Sequence, residues 1–462
     1  MVQGHWIVHT RTMDFLWLPE TLRAASRRYA QLAGEDAVLR EAPPGIDEFA
    51  AEGELVLQSR FFAGEFGDEW MTECGRRVRM LDPGMWNREA GPDFRNATVI
   101  FDGNEKCTGD LEIDIDSTSW ETHGHAGNPD FENVILHCFF REGSRRAFAR
   151  TRSNRSVPQV RLGPLVDGPK LSRSMPEPAQ SLESALALVE LAAQHRLACK
   201  ARSLHLLHSL HGPQESLFHA LAQALGFRHN SMPLTVLAQR CGYKIAASAQ
   251  GEALLFGLAG FLEQPRPDSE IGRQTPYLVR LWKDWWKLRE REQRLILPAS
   301  AWKIGGNRPA NHPHRRVAAL HLVAGILPGL GKALESAEER LFASQLRGLQ
   351  HPFWSSHWNL SARMLAGGKP VGLVGENRVR DILVNVFVPS LVARGKEAFD
   401  AWKRLVPGQI PARVRDVADW LLPGFPLEAM RSAACQQGLL QLGRDFLGNE
   451  SPRTLEQRYL DL

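Results

Sequence analysis

The hydrophobic rhythm of the chain changes once, near residue 165, and that change limits the architectures open to it. Before it, short segments of alternating character separated by glycine-containing turns read as strands. After it, apolar residues recur at helical spacing over long stretches. Strands followed by helices point to an α+β chain. The segment 166–180 is rich in Pro, Gly and Ser and poor in large apolar side chains, as a linker should be. The expected division is a helical extension (1–44), an α/β domain (45–165), that linker, and an irregular all-α domain (181–462). No fixed repeat period marks the helical part, so a regular solenoid is unsupported.

At 462 residues, with 43% hydrophobic and 23% charged, the chain can bury more than one core, which excludes collagenous and disordered classes. No apolar run approaches the ~20 residues of a membrane span, and the first residues lack the pattern of a secretory signal. Cys74, Cys107, Cys138, Cys199, Cys241 and Cys435 stand singly, without a CxxC pair, and read as reduced thiols. The expectation is a cytoplasmic protein with no membrane partner. A net charge of +4 permits a nucleic-acid partner without demanding one.

In the α/β part the spacing predicts a helix over 45–62, strands over 77–81, 96–101 and 109–116, then two further strands over 134–140 and 157–162. Asp102-Gly103-Asn104 supplies residues tolerant of positive φ, joining the second and third strands as a hairpin. Helices are expected over 20–32, 215–225, 252–263, 277–291, 316–326, 381–393, 414–422 and 433–446. Trp282, Trp285 and Trp286 fall at helical spacing on one face, which reads as core packing, with base stacking as the alternative.

The third strand, GDLEIDID, places Leu111, Ile113 and Ile115 on one face and Asp110, Glu112, Asp114 and Asp116 on the other. Two readings stand side by side: a solvated outer face, or a carboxylate site for a hard divalent cation. Asp93, opening the second strand of the hairpin, favours the latter, because it can face Glu112 across the pair. Glu54, on the preceding helix, can approach the same point or remain an exposed helix glutamate.

A helix glutamate, an aspartate opening the second strand and a glutamate within the third resemble the PD-(D/E)xK, restriction-endonuclease-like fold over residues 45–165. The resemblance implies Asp93 and Glu112 as metal ligands, with a lysine two positions after the glutamate. Here that position is Asp114, which puts catalysis in question more than metal binding; Arg95 or Lys106 would have to substitute.

Longer motifs resemble a bacterial family of unknown function: ELVLQ (54–58), PGMWNREAGPDFRNA (83–97), GDLEID (109–114), WETHGHAGNPDF (120–131) and NVILH (133–137), continuing through EALLFGLAGFLE (252–263) and the segment 302–316. That resemblance implies histidine at the position of Asp114 in many relatives, and a C-terminal cysteine cluster of which only Cys435 stands here.

His123, His125 and His137 can ligate a metal, contact phosphate or fix their loop. Asn87, Arg88 and Glu89 can hydrogen-bond the loop before Asp93. Arg145, Arg146, Arg150, Arg152, Arg155 and Arg161, and a second group of Arg308, His312, His314, Arg315 and Arg316, suit phosphate oxygens or a hydrated surface. No Walker loop, GxGxxG, HExxH or GxSxG elbow is present, which weakens NTPase, dehydrogenase, metalloprotease and esterase readings. The expectation is a metal-dependent nuclease or phosphodiesterase holding Mg²⁺ or Mn²⁺ on Asp93, Glu112 and Asp114, with Glu54 catalytic and His123, His125, Arg95, Arg88, Arg315 and Arg316 contacting substrate. The alternative is a non-catalytic nucleic-acid-binding or scaffold protein.

Overall fold

The computed structural model describes residues 15–33, 53–87, 90–143, 148–162, 181–226, 230–262, 275–305, 309–360 and 370–447. It is a mixed α/β protein, an N-terminal sheet followed by a predominantly helical region. The strands are β1 (Glu69–Met71), β2 (Arg77–Asp82), β3 (Met85–Trp86), β4 (Phe94–Phe101), β5 (Glu105–Asp116), β6 (Val134–Arg141) and β7 (Gln159–Arg161). The helices used below are α1 (Glu20–Ala33), α2 (Glu54–Phe62), α3 (Leu182–Gly226), α4 (Gly251–Leu258), α5 (Pro276–Glu292), α6 (Pro313–Glu335), α7 (Ala412–Leu421) and α8 (Ala433–Leu447). Two compact units are formed, one from Ala42–Leu171 and Leu206–Ile382, the other from Met1–Glu41, Ser172–His205 and Leu383–Leu462. The expected helix over 45–62 is described from Glu54 onward, and the linker lies outside the described residues.

Sheet order is β1-β2-β4-β5-β6-β7, with β3 also pairing β4. The first four strands of that path run antiparallel, whereas β6 lies parallel to β5 and β7 parallel to β6. The hairpin expected at 102–104 is present: Asp102 (φ 51°) and Gly103 (φ 84°) turn the chain, and Phe101 pairs with Glu105. One sheet face is apolar, with Val78, Val99, Leu111, Ile113, Leu136 and Cys138 fully buried. Helix α2 brings Phe61 and Phe62 to Phe94 at ring distances of 5.9 and 5.6 Å.

In the helical part of the same unit, Trp285 of α5 is fully buried against α4, whose Gly257 leaves room for its ring. Trp286 is not core: it is 42% exposed, stacked on Trp282 at 4.5 Å, with Arg289 over it. Neighbouring helix positions diverge by about 100°, so Trp285 and Trp286 cannot share one face, while Trp282 and Trp286, a turn apart, do. Helix α6 is long and apolar enough by composition to cross a membrane, contrary to the sequence expectation, but 61% of its apolar window is buried and Val317, Leu320, Val323 and Leu327 lie in the core. The second unit packs Tyr29 of α1, Val189 and Ala192 of α3, Val414 and Val417 of α7, and Leu439 and Leu442 of α8 into one cluster.

A Cβ on Gly257 would lie 2.0 Å from the Trp285 ring, whereas one on Gly325, exposed in mid-α6, meets nothing within 4 Å. Gly257→Ala is therefore expected to cost ~1–3 kcal/mol, and Gly325→Ala to stabilise by ~0.5–1 kcal/mol, both read from urea unfolding.

Candidate metal centre

The carboxylate face of β5 is not solvated. Asp110, Glu112 and Asp114 are buried, Asp114 completely, so the outer-face reading is overturned. Its cover comes from α2 and from the segment 119–131 between β5 and β6, neither of which alternation within β5 reveals. The two ends of the acidic row are committed locally. Asp110 accepts from the Asn96 N–H at 3.2 Å beside an irregularity in the β4–β5 ladder, and Asp116 accepts from the Thr118 N–H and hydroxyl at 2.9 and 2.7 Å.

The middle of the row meets Asp93 and Glu54. Asp93 donates its N–H to Glu112 Oε2 at 3.0 Å, while its own Oδ2 accepts from the Ile113 N–H at 2.9 Å. Two side chains thus continue the ladder where backbone pairing stops. Glu54 opens α2 just after Gly53, and one turn later Gln58 Nε2 donates to Glu54 Oε1 (2.9 Å) and Asp93 Oδ1 (2.7 Å). Glu54 is therefore linked to the hairpin through a residue that sequence reasoning did not single out, although ELVLQ places it at i+4.

Histidines occupy the other side. His125 Nε2 lies 3.2 Å from Glu112 Oε1, and His123 Nδ1 lies 3.2 Å from Asp114 Oδ1. His137 Nε2 is 3.0 Å from Asp114 Oδ2, and its Nδ1 accepts from Gln159 Nε2 at 3.0 Å, which leaves the ring proton on Nε2, directed at Asp114. The parallel register of β5, β6 and β7 aligns these groups: Glu112 pairs with His137, and His137 with Gln159. The segment carrying His123 and His125 is held by buried Trp120, whose Nε1 donates to the Arg150 carbonyl, and by Phe131, stacked on His125 at 3.9 Å. Between the histidines, Gly124 adopts the left-handed conformation (φ 74°, ψ 21°), which glycine enters without a Cβ penalty.

Electrostatics follow burial. Desolvation first, then the charges of Glu112 and Glu54, raise the Asp93 pKa well above the ordinary carboxylate range. Desolvation and then Asp114 do the same to Glu112. Glu54 is raised for the same two reasons, and burial lowers His125. One oxygen of Asp114 and one ring nitrogen of each of His123 and His125 lie within 4.8 Å of one another. Of the expected metal ligands Asp93, Glu112 and Asp114, only Asp114 belongs to that group.

The basic residues fall elsewhere. Arg95 donates to the Ala90 carbonyl at 2.9 Å. Lys106 sits eight residues before Asp114 on β5, about 27 Å along the strand, and cannot stand in for the missing lysine. Arg315 and Arg316 are buried at the start of α6: Arg315 donates to the carbonyls of Trp354, His357, Val371 and Gly372, and Arg316 to that of Leu373 and to the Asn311 side chain. They hold chain segments together and do not face substrate, and burial pulls Arg316 down to about 9. Arg88, Glu89, Arg145, Arg146 and Arg308 lie outside the described residues. Arg150, Arg152 and Arg155 are exposed, and Arg155 donates to the Glu132 and Val134 carbonyls beside the histidine segment.

A buried acidic cluster with histidine partners, mounted on a mixed sheet, defines a candidate cation-binding α/β protein. Residues 64–406, about three quarters of the chain, match a family described as a protein of unknown function, DUF2851, and the chain belongs to it. No curated protein and no solved structure matches.

Raised carboxylates mean that the native state holds protons which the unfolded chain has already released, so this cluster destabilises the metal-free protein as pH rises from the ordinary carboxylate pKa through the raised values. Glu112→Gln is expected to raise the metal-free unfolding midpoint at neutral pH by on the order of a few degrees. The gain should vanish near pH ~4, where the wild-type carboxyl is protonated in both states; calorimetric scans across pH check it.

Proposed function

We propose that this protein is a metal-dependent phosphodiester hydrolase acting on nucleic acid in the cytoplasm. The observation that carries the proposal is the meeting of the half-buried Glu54 and Asp93 with the buried Glu112 and Asp114 in one cluster whose contacts include amide N–H groups, Gln58 and histidines. Beyond desolvation, the charges of Glu112 and Glu54 raise the Asp93 pKa and that of Asp114 raises Glu112, so these like charges repel although Arg240 acts on Asp93; a divalent cation would offset that cost. The element order supports a restriction-endonuclease-like reading: helix α2, antiparallel β2, β4 and β5, a crossover, then parallel β6. Six free thiols without a disulfide accord with a reducing compartment.

A bound ion of the expected Mg²⁺ or Mn²⁺ class would polarise the phosphate and lower the pKa of an attacking water. The chain's own residues do the rest. Glu54, whose carboxyl burial holds above the ordinary carboxylate range and which Gln58 links to Asp93, can accept the proton of that water. His123, whose side chain is 48% exposed, can turn a ring N–H toward a phosphate oxygen. Arg150, Arg152 and Arg155 form an exposed cationic rim suited to a polynucleotide backbone.

The test compares the wild-type chain with Asp93→Asn and Asp93→Ala on labelled single- and double-stranded DNA and RNA in the presence of Mn²⁺. Cleavage by the wild type and a loss of ~100-fold or more in both variants is expected. Absence of cleavage by the wild type, or equal rates for all three proteins, removes the enzyme reading and leaves a binding or scaffold protein.

A further inference from the structure

We propose that the ion of this centre is a transition metal of the Mn²⁺, Fe²⁺ or Zn²⁺ class, held by Asp114 with ring nitrogens of His123 and His125, and that Mg²⁺ is a poor occupant. The inference rests on the hydrolase reading for what the ion does, but not for its presence. Asp114 is fully buried, and among the described residues its Oδ1 accepts no hydrogen bond although His123 Nδ1 stands only 3.2 Å away. His125 Nε2 is likewise buried without a hydrogen bond, 3.2 Å from Glu112 Oε1. The Asp114 oxygen and a ring nitrogen of each of His123 and His125 lie within 4.8 Å of one another, near enough to share one ion. Metal–ligand bonds of about 2.1 Å place neighbouring ligands roughly 3.0–3.4 Å apart.

Each central carboxylate has one oxygen fixed by the protein and the other turned to a histidine. Asp114 Oδ2 is held by His137, itself positioned by Gln159, while Glu112 Oε2 is held by the Asp93 N–H. Such outer partners orient a ligand and set its basicity. Trp120 and Phe131 pack against His125, and the left-handed Gly124 sets the turn between the two imidazoles. Two imidazoles and a carboxylate form a borderline donor set, suited to Mn²⁺, Fe²⁺ and Zn²⁺. Mg²⁺ takes oxygen ligands and gives up its water reluctantly. On this assignment Asp93 is a positioning residue, because its carboxylate oxygens serve Gln58 and Ile113.

The test uses the metal-free full chain titrated with Mn²⁺, Zn²⁺ and Mg²⁺ by calorimetry, with pulsed electron paramagnetic resonance of the Mn²⁺ form. Mn²⁺ and Zn²⁺ should bind, a large excess of Mg²⁺ should fail to displace Mn²⁺, and the resonance should show couplings to imidazole nitrogen. His123→Ala, at a half-exposed position, should weaken Mn²⁺ binding and reduce those couplings, while Asp93→Asn should retain them. Displacement by Mg²⁺, absence of nitrogen coupling, or wild-type Mn²⁺ affinity in His123→Ala would overturn the assignment. Nitrogen-coupled binding without cleavage sinks the hydrolase reading alone; Mg²⁺-supported cleavage that persists in His123→Ala sinks this assignment alone.

Discussion

Like charge on a strand buried on both faces is the constraint around which the sheet half of this protein is organised. Strand β5 turns Leu111 and Ile113 into the apolar core and Asp110, Glu112 and Asp114 into a second covered face. Water cannot solvate that second face, so the N–H groups of Asp93 and Asn96 and the imidazole of His137 serve its carboxylates, while the Ile113 N–H and the Gln58 amide serve the neighbouring Asp93. Because the ends of the row find local donors, the unsatisfied charge concentrates at Glu112 and Asp114. A carboxylate cluster kept in this state is a stability cost, and its persistence in a folded protein is the physical ground for the functional reading.

Much of the sheet was legible because its signals are local. The Asp102-Gly103 turn and the alternation in 96–101 and 109–116 specify a hairpin and the set of residues that share a face. Which face is covered is a different matter, since α2 and the segment 119–131 reach β5 through tertiary packing. For the same reason neither the partner of His137 nor any role for Gln159 is legible: their alignment with Glu112 depends on the register between parallel strands. Arg315 and Arg316 show the converse failure. A basic pair at a helix N-terminus has the same sequence signature whether it faces a phosphate or, as here, a set of backbone carbonyls. The short strands β1 and β3, of three and two residues, carry too few positions for any period to show.

The acid at position 114 reads differently once its neighbours are known. Set against a lysine expected from the nuclease resemblance, Asp114 looks like damage. Set among His123, His125 and His137, it is a buried carboxylate with three imidazoles beside it. On the proposed reading the charge that a lysine would bring is supplied by the ion, and the change of residue accompanies a change of donor chemistry.

The direction of β6 has a consequence for how such a centre is assembled. An antiparallel neighbour could have followed β5 after a two-residue turn, leaving no backbone to carry anything over the acidic face. A parallel neighbour obliges the chain to travel back along the sheet before it can begin again, and residues 119–131 are that homeward leg. The detour that strand polarity imposes is thus also the scaffold that delivers both imidazoles of the His-Gly-His turn, so changes in its length or anchoring would alter the donors while leaving the ladder itself untouched.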